Sequence, residues 1–283
     1  MKKFSLVLAL LLPTAAGIAA QDPPPASGAR ILLLPRKLVS GERATLAVLD
    51  VNGRLTPGVT VEFSNGEKLK TDATGRALFV APLNVQKIDA AIEGRPGRIS
   101  GTILTAADSS SATQEVSLAP RVASLSDRFE ITGHGFCGDA DANHIIIGGL
   151  PGLVLAASPA YLAVLPPTDM DPGPAQVQVS CGQKSSPAFT VVFVALDLEA
   201  SNAPLAPGEH RTLTVRVKGS STKVNLEARN LAPEVADLQG GTHVRAISSG
   251  GADNIAKFEL LGKQRGSFVI SIRLMTQPSA PHN

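Results

Sequence analysis

The chain has 283 residues, with 26 glycines, 21 prolines, no tryptophan and a single tyrosine, Tyr161. Its 26 basic and 24 acidic residues leave a formal charge of +2, which is too small to predict binding to nucleic acid or to an anionic membrane surface. The length corresponds to two or three domains of ordinary size, and the many glycines and prolines indicate frequent turns.

Residues 1–20 have the pattern of a secretory signal peptide. Lys2 and Lys3 precede a short apolar run at 4–12, and small residues follow at 15–20. The apolar run is too short to span a membrane, and we expect cleavage after residue 20. Removing the two lysines leaves 24 basic residues against 24 acidic ones. The sequence therefore predicts an exported protein, either periplasmic or extracellular, including the cell surface, with no transmembrane segment.

Residues 21–29, QDPPPASGA, are interpreted as a Pro-rich linker, and residues 30–106 follow it with apolar residues at every second position. In RATLAVLD this pattern places Ala44, Leu46 and Val48 on one face of a strand. The stretches SGERATLAVLDVNGRLTPGVTVEF and TDATGRALF resemble bacterial immunoglobulin-like domains of the invasin type. A carboxypeptidase-regulatory-like sandwich is the alternative. Residues 107–115, ADSSSATQE, are predicted to be a second linker.

Residues 118–195 contain PRVASLSDRFEITGHGF, NHIIIGG, VLAASPAYLAVLPP and PGPAQVQVSCG. This series resembles the IPT/TIG domain, in which a G-x-G-F turn, a strand ending in two glycines and two Pro-containing strands occur in the same order. The resemblance implies an immunoglobulin-like sandwich.

Residues 196–275 again alternate, in HRTLTVRVKG, KVNLEARNL and GSFVISIRL. Their opening LAPGEHRTLTV is similar to LVSGERATLAV in the first unit, which is a weak internal repeat. The predicted fold is all-β, with three immunoglobulin-like β-sandwich domains in tandem, and residues 276–283 are expected to be a disordered tail.

The two cysteines, Cys137 and Cys181, are expected to form a disulfide because the chain is exported. A reactive thiol pair is the alternative, but no CxxC spacing supports it.

The stretch GHGFCGDADANH combines candidate metal ligands with glycines. His134, Asp139, Asp141, Asn143 and His144 could contribute, and the D-x-D-x-N spacing is that of the start of a calcium loop. The sixth position of an EF-hand loop, however, requires glycine, and here it is His144. We therefore favour a turn between two strands, in which the Asp and Asn side chains cap backbone groups, and we expect no cofactor.

No nucleophile elbow, zinc-protease motif or phosphate-binding loop occurs in the sequence. The favoured hypothesis is a non-catalytic protein-interaction, adhesion or spacer module of the bacterial cell envelope. Its partner would be another envelope or extracellular protein. A carbohydrate-binding accessory protein that contacts polysaccharide is the alternative, although the absence of tryptophan disfavours it, and an unrecognised hydrolase is a third. Tyr161 is a possible contact residue if its side chain is exposed.

Overall fold

The computed structural model describes residues 29–105, 114–199 and 204–275. These residues form 23 strands and one short 3-10 turn, so the predicted all-β fold is confirmed. The predicted leader and tail, most of the first linker and residues 107–113 of the second lie outside the described residues. In the described ranges, no helix has the length and apolar character needed to cross a membrane.

The first unit is a two-sheet sandwich. Its strands are β1 (Arg30–Leu33), β2 (Lys37–Val39), β3 (Arg43–Asp50), β4 (Thr60–Phe63), β5 (Lys68–Lys70), β6 (Arg76–Val80), β7 (Lys87–Ile92) and β8 (Ile99–Leu104). One sheet has the order β1-β3-β6 and the other β2-β8-β7-β4-β5, with β2 parallel to β8. The chain crosses between the sheets as in immunoglobulin-like folds.

The predicted inward face of β3 is confirmed, because Ala44, Leu46 and Val48 are all buried between the two sheets. The rings of Phe63 and Phe79 pack beside them with centroids 5.1 Å apart. Alternating apolar residues on both sheets thus form the core of the first unit.

The second unit is also a two-sheet sandwich, with β10 parallel to β17. Its elements are β9 (Glu115–Leu118), β10 (Val122–Ser124), β11 (Phe129–His134), a 3-10 turn (Ala140–Ala142), β12 (Asn143–Ile147), β13 (Leu150–Ser158), β14 (Tyr161–Leu165), β15 (Gly173–Cys181), β16 (Lys184–Ser185) and β17 (Phe189–Glu199). One sheet contains β9, β11, β14 and β13, and the other contains β10, β17, β15 and β12. Phe129 and Phe193 meet edge to face in its core, 5.5 Å apart. Strand β9 begins at Glu115, inside the stretch interpreted as a linker.

The third unit begins within β17 and adds β18 (His210–Lys218), β19 (Asn225–Asn230), β20 (Ala236–Leu238), β21 (His243–Ile247), β22 (Ile255–Gly262) and β23 (Ile270–Leu274). Its sheets have the orders β17-β18-β22-β20 and β21-β19-β23. Leu226, Leu238 and Phe258 are fully buried between them. The described part of the chain is therefore a series of three immunoglobulin-like sandwiches.

Candidate functional site

The glycine-rich stretch connects β11 to β12 and lies against the first unit. Cys137 in this loop is bonded to Cys181 at the end of β15, with Cα atoms 5.7 Å apart, so the predicted disulfide is confirmed. The Cys181 backbone also pairs with Asn143, the first residue of β12. The loop is thus fixed to the second unit at both of its ends.

Asn143 organises the inside of the loop. Its side-chain oxygen accepts a hydrogen bond from the Cys137 amide at 2.9 Å, and its Nδ2 donates to the carbonyl oxygens of Cys137 and Asp139 at 2.8 and 2.7 Å. The side chain is buried, so these bonds replace the water that would otherwise solvate the amide group. Both polar atoms of the Asn143 side-chain amide therefore form hydrogen bonds within the loop.

The two aspartates of the calcium hypothesis also contact protein groups. Asp139 accepts from the Asp141 amide at 3.0 Å and caps the 3-10 turn, while the Asp141 carboxylate accepts from Arg76 at 2.8 Å. Within the described ranges, no group of three or more His, Cys, Asp or Glu side chains is placed to hold a metal ion. The geometry assigns the polar residues of this loop to turn formation and to contact with the first unit.

Gly138 allows the loop to approach β3 of the first unit. The Thr45 hydroxyl donates to the Gly138 carbonyl at 2.8 Å and accepts from the Ala140 amide at 3.0 Å. A Cβ atom on Gly138 would lie 1.9 Å from the Arg43 carbonyl oxygen, a distance that no side chain can tolerate. Only glycine permits this contact between the two units.

Arg76 holds the other side of the loop. Its Nη2 and Nε donate to the carbonyl oxygens of Val154 and Leu155 in β13, at 2.6 and 3.2 Å, and its Nη1 donates to Asp141. The Arg76 side chain is 7% exposed, whereas that of Asp141 is 69% exposed. A buried guanidinium from the first unit thus satisfies two backbone carbonyls of the second.

An apolar cluster lies between these polar contacts. Leu33, Ala47 and Leu49 of the first unit pack against four residues of the second unit, Leu155, Ala156, Tyr161 and Ala163. The backbone also pairs across the boundary, Thr45 with Ala157. We call this cluster, together with the Thr45 and Arg76 contacts, the joint.

Tyr161 lies inside the joint and is 4% exposed, so the expectation that it could serve as an exposed contact residue is wrong. Burial, followed by the nearby Glu130 carboxylate, raises the pKa of Tyr161. The sequence pattern did not reveal this because the strand that contains Tyr161 is covered on both faces, one of them by another unit.

The second and third units are connected by β17 itself. Residues 189–193 of this strand pair with β15 of the second unit, and residues 195–199 pair with β18 of the third. Val194, between them, is buried in the core of the third unit. Gly219 allows the backbone after β18 to approach β17, because a Cβ at this position would lie only 2.6 Å from the Phe193 carbonyl oxygen.

A shallow groove of about 470 Å³ runs beside the disulfide at the edge of the joint. Val80 of the first unit and Phe136 and Pro159 of the second contribute apolar surface, and Glu42 and Arg43 add charge. The buried polar side chains nearby, including those of Thr45, Asn143 and Ser158, bond to backbone groups. The arrangement positions two domains against each other.

Sequence reasoning missed Arg76 and Thr45, since neither belongs to a recognisable motif. A usable signal did exist in the apolar runs LAVL of β3 and VLAA of β13, where neighbouring residues are all apolar. Strands that are covered on both faces read as continuous apolar runs, whereas half-buried strands alternate. Two such runs in adjacent units indicate that the units bury them against each other.

No family model and no curated protein matches the chain. Similar solved structures include surface layer protein SbsC, domains 1–6, at 18% identity over 90% of this chain and 39% of that chain, with a TM-score of 0.21. The Bacteroides ovatus mixed-linkage glucan utilization locus protein SGBP-B, in complex with a mixed-linkage heptasaccharide, is 11% identical over 85% and 74%, with a TM-score of 0.35. The ICAM-5 D1–D4 ectodomain fragment is 12% identical over 88% and 75%, with a TM-score of 0.22. The chain spans about two fifths of the length of the surface layer structure.

Proposed function

We propose that this chain is an exported, non-catalytic module of the bacterial cell envelope that holds an interaction surface at a fixed distance and orientation. The observation that carries the proposal is the way in which the units are joined. Domains in one chain move relative to each other unless their interface is large and hydrophobic. Here the first boundary is a buried apolar cluster, and the second is crossed by one uninterrupted strand.

The sequence resemblances fit this role. We infer that the first unit is a bacterial immunoglobulin-like domain of the invasin type and that the second is an IPT/TIG domain. The signal peptide pattern, the balanced charge and the disulfide support an extracytoplasmic protein whose partner is another envelope or extracellular protein. N-terminal sequencing of the exported protein should find Gln21 as the first residue.

The aromatic side chains do not favour the alternative of carbohydrate binding. Sugar-binding modules commonly use exposed aromatic rings, and this sequence contains no tryptophan. Among the described residues, every phenylalanine and the one tyrosine are buried or half-buried. A glycan array would test the alternative directly, since specific binding to a polysaccharide would contradict the proposal of a protein partner.

The rigidity of the array can be measured with spin labels. We would label E67C in the first unit and K257C in the third, both exposed positions, and measure the distance distribution between them. The expected distribution is as narrow as that of a control pair within the first unit, E67C with L83C. A broad or multimodal distribution for the first pair alone would show that the units move independently.

The interaction can be tested by cross-linking the tagged protein in intact cells, followed by purification and mass spectrometry. We expect repeated recovery of one envelope protein. If no specific protein is recovered, the interaction role is contradicted. The spacer role is then tested by the distance measurement alone.

A further inference from the structure

The outer face of the sheet β21-β19-β23 in the third unit is rich in arginine. Alternate residues of these strands face the core of the unit, and the positions between them face outward. The charged side chains at the outward positions are Glu227 and Arg229 on β19, Arg245 on β21 and Arg273 on β23. Three guanidinium groups thus share this surface, which we call the arginine face, with one carboxylate.

Glu227 does not neutralise the arginine face. Its carboxylate accepts hydrogen bonds from Nε and Nη2 of Arg273 at 2.9 and 2.5 Å, and its other oxygen lies 3.9 Å from Nε of Arg245. The Glu227 side chain is 8% exposed, whereas those of Arg245 and Arg273 are 73% and 64% exposed. Arg229 lies opposite His243 and forms no ion pair with any described residue. Three positive charges against one negative charge leave an excess of two.

On the opposite sheet of the same unit, basic side chains are paired with acidic ones. Lys218 of β18 lies 2.8 Å from Asp197 of β17, and Arg216 lies 2.7 Å from Glu199. The sequence that follows β23, TQPSAPHN, adds no acidic side chain. The arginine face is therefore a local excess of positive charge in a chain whose formal charge is only +2.

Exposed apolar side chains border the arginine face at both of its ends. Ile247 is the last residue of β21, opposite Asn225, and its side chain is 67% exposed. At the other end, the pairing of β19 with β23 continues to Leu231, whose amide donates to the Val269 carbonyl at 3.0 Å, and both side chains are more than half exposed. Arginine surrounded by apolar side chains is typical of protein interfaces.

The arginine face is open and small. Strand β10 of the second unit approaches β23 from the core side, where Val122 packs, and not across the exposed arginines. From Asn225 to Leu231 the face extends along β19 for about 20 Å. An extended segment of about seven residues would cover this length.

We propose that the arginine face binds a short acidic segment of a partner protein, with carboxylates at its centre and apolar side chains at its ends. The planar donors of arginine match a carboxylate, and Arg273 already holds Glu227 with two of them. The apolar ends favour a protein over an acidic polysaccharide, which has no apolar side chains to bury. This inference rests on the proposed function, because it names the chemistry of the partner of the module.

Fluorescence anisotropy with labelled peptides and the purified full chain tests the proposal. The probe is LEEEEEL, and its controls are LQQQQQL, which has no acidic side chains, and SEEEEES, which has no apolar ends. The contact is smaller than the ~800 Å² per partner of stable complexes, so we expect LEEEEEL to bind with a Kd of about 10–100 µM. LQQQQQL should bind about tenfold more weakly and SEEEEES about threefold more weakly. Absence of LEEEEEL binding at about 1 mM would overturn the proposal, and the cross-linking test of the proposed function would be unaffected.

Two charge variants locate the site. R229E reverses a guanidinium on the arginine face and should weaken the binding of LEEEEEL about tenfold. K257E makes the same change in net charge on β22, in the opposite sheet, and should change the binding by less than about twofold. Equal weakening by both variants would show a response to overall charge and would refute the assignment to the arginine face.

A third variant tests the apolar ends. I247S should weaken the binding of LEEEEEL about threefold and leave that of SEEEEES unchanged. The control V51S alters a residue of similar exposure in the first unit and should affect neither peptide. Unchanged binding of LEEEEEL to I247S would contradict the apolar part of the proposal.

An oligogalacturonate of the same charge distinguishes the two classes of acidic partner. If it displaces LEEEEEL at equal concentration, the choice of a protein segment is overturned. In intact cells, R229E should lose the cross-linked protein that the wild-type chain recovers, and K257E should keep it. A protein that is still recovered with R229E would support the proposed function and reject the arginine face as its docking surface.

Discussion

Replacing Arg76 by alanine should open the joint between the first two units. The substitution leaves the carbonyl oxygens of Val154 and Leu155 buried without their donors, which costs about 1–3 kcal/mol for each. Losing the ion pair to the exposed Asp141 adds no more than about 1 kcal/mol. We therefore expect the free energy of opening the joint to fall by roughly 2–7 kcal/mol.

The assay uses a reporter that the sequence supplies. Tyr161 is the only tyrosine, the chain has no tryptophan, and the side chain is buried in the joint, so its fluorescence in a urea titration follows this region. The matched control is D141N, which removes the exposed partner alone and should change stability by less than about 1 kcal/mol. If R76A and D141N had equal effects, the buried carbonyl contacts would not be what holds the joint.

Three further experiments test other parts of the structure. Replacing Cys137 and Cys181 with serine should lower the unfolding free energy by about 4 kcal/mol for a loop of this length, and reduction of the wild-type chain should reproduce that loss. The hydrogen bond from Arg273 holds the pKa of Glu227 below its usual 4.5. The contribution of this carboxyl to the unfolding free energy should therefore be constant above pH 4.5 and should decrease as the pH falls through the lowered pKa of Glu227. In E227Q, chemical denaturation at a series of pH values should show no such decrease from this position. The G138A variant should lower the urea concentration at which the Tyr161 fluorescence changes, because its Cβ would collide with a backbone carbonyl of the first unit. The control G149A has open space around its Cβ and should lose only about 1 kcal/mol through backbone strain.

The sandwich fold was predictable because alternation of apolar residues identifies the inward face of a strand. In β3 it correctly placed Ala44, Leu46 and Val48 in the core. The same rule treats the intervening positions as solvent-facing, yet Thr45, Ala47 and Leu49 are also buried. Alternation of apolar residues shows which side of a strand faces the core of its own sandwich. It gives no information about a neighbouring domain that covers the outer side of the strand.

The disulfide was predictable from the signal peptide pattern and the count of two cysteines, but the role of its loop was not. Asp139, Asp141 and Asn143 have the spacing of calcium ligands, and residue type and spacing are all that a sequence provides. The use of these side chains depends on Arg76 and on the backbone of the 3-10 turn, which the fold brings to them. Arg76 is 65 residues distant from Asp141 in sequence, so no local pattern could connect the two.

The composition of the joint explains how two sheets approach closely enough to share a core. Ala47 of the first unit and Ala156 and Ala163 of the second present only methyl groups at the contact, and the larger Leu33 and Tyr161 pack around them. The disulfide and Asn143 fix the loop to the second unit, while Gly138 and Asp141 of the same loop contact the first. The loop that carries candidate metal ligands in sequence therefore ties one sandwich to the next, which is what the proposed spacer role requires.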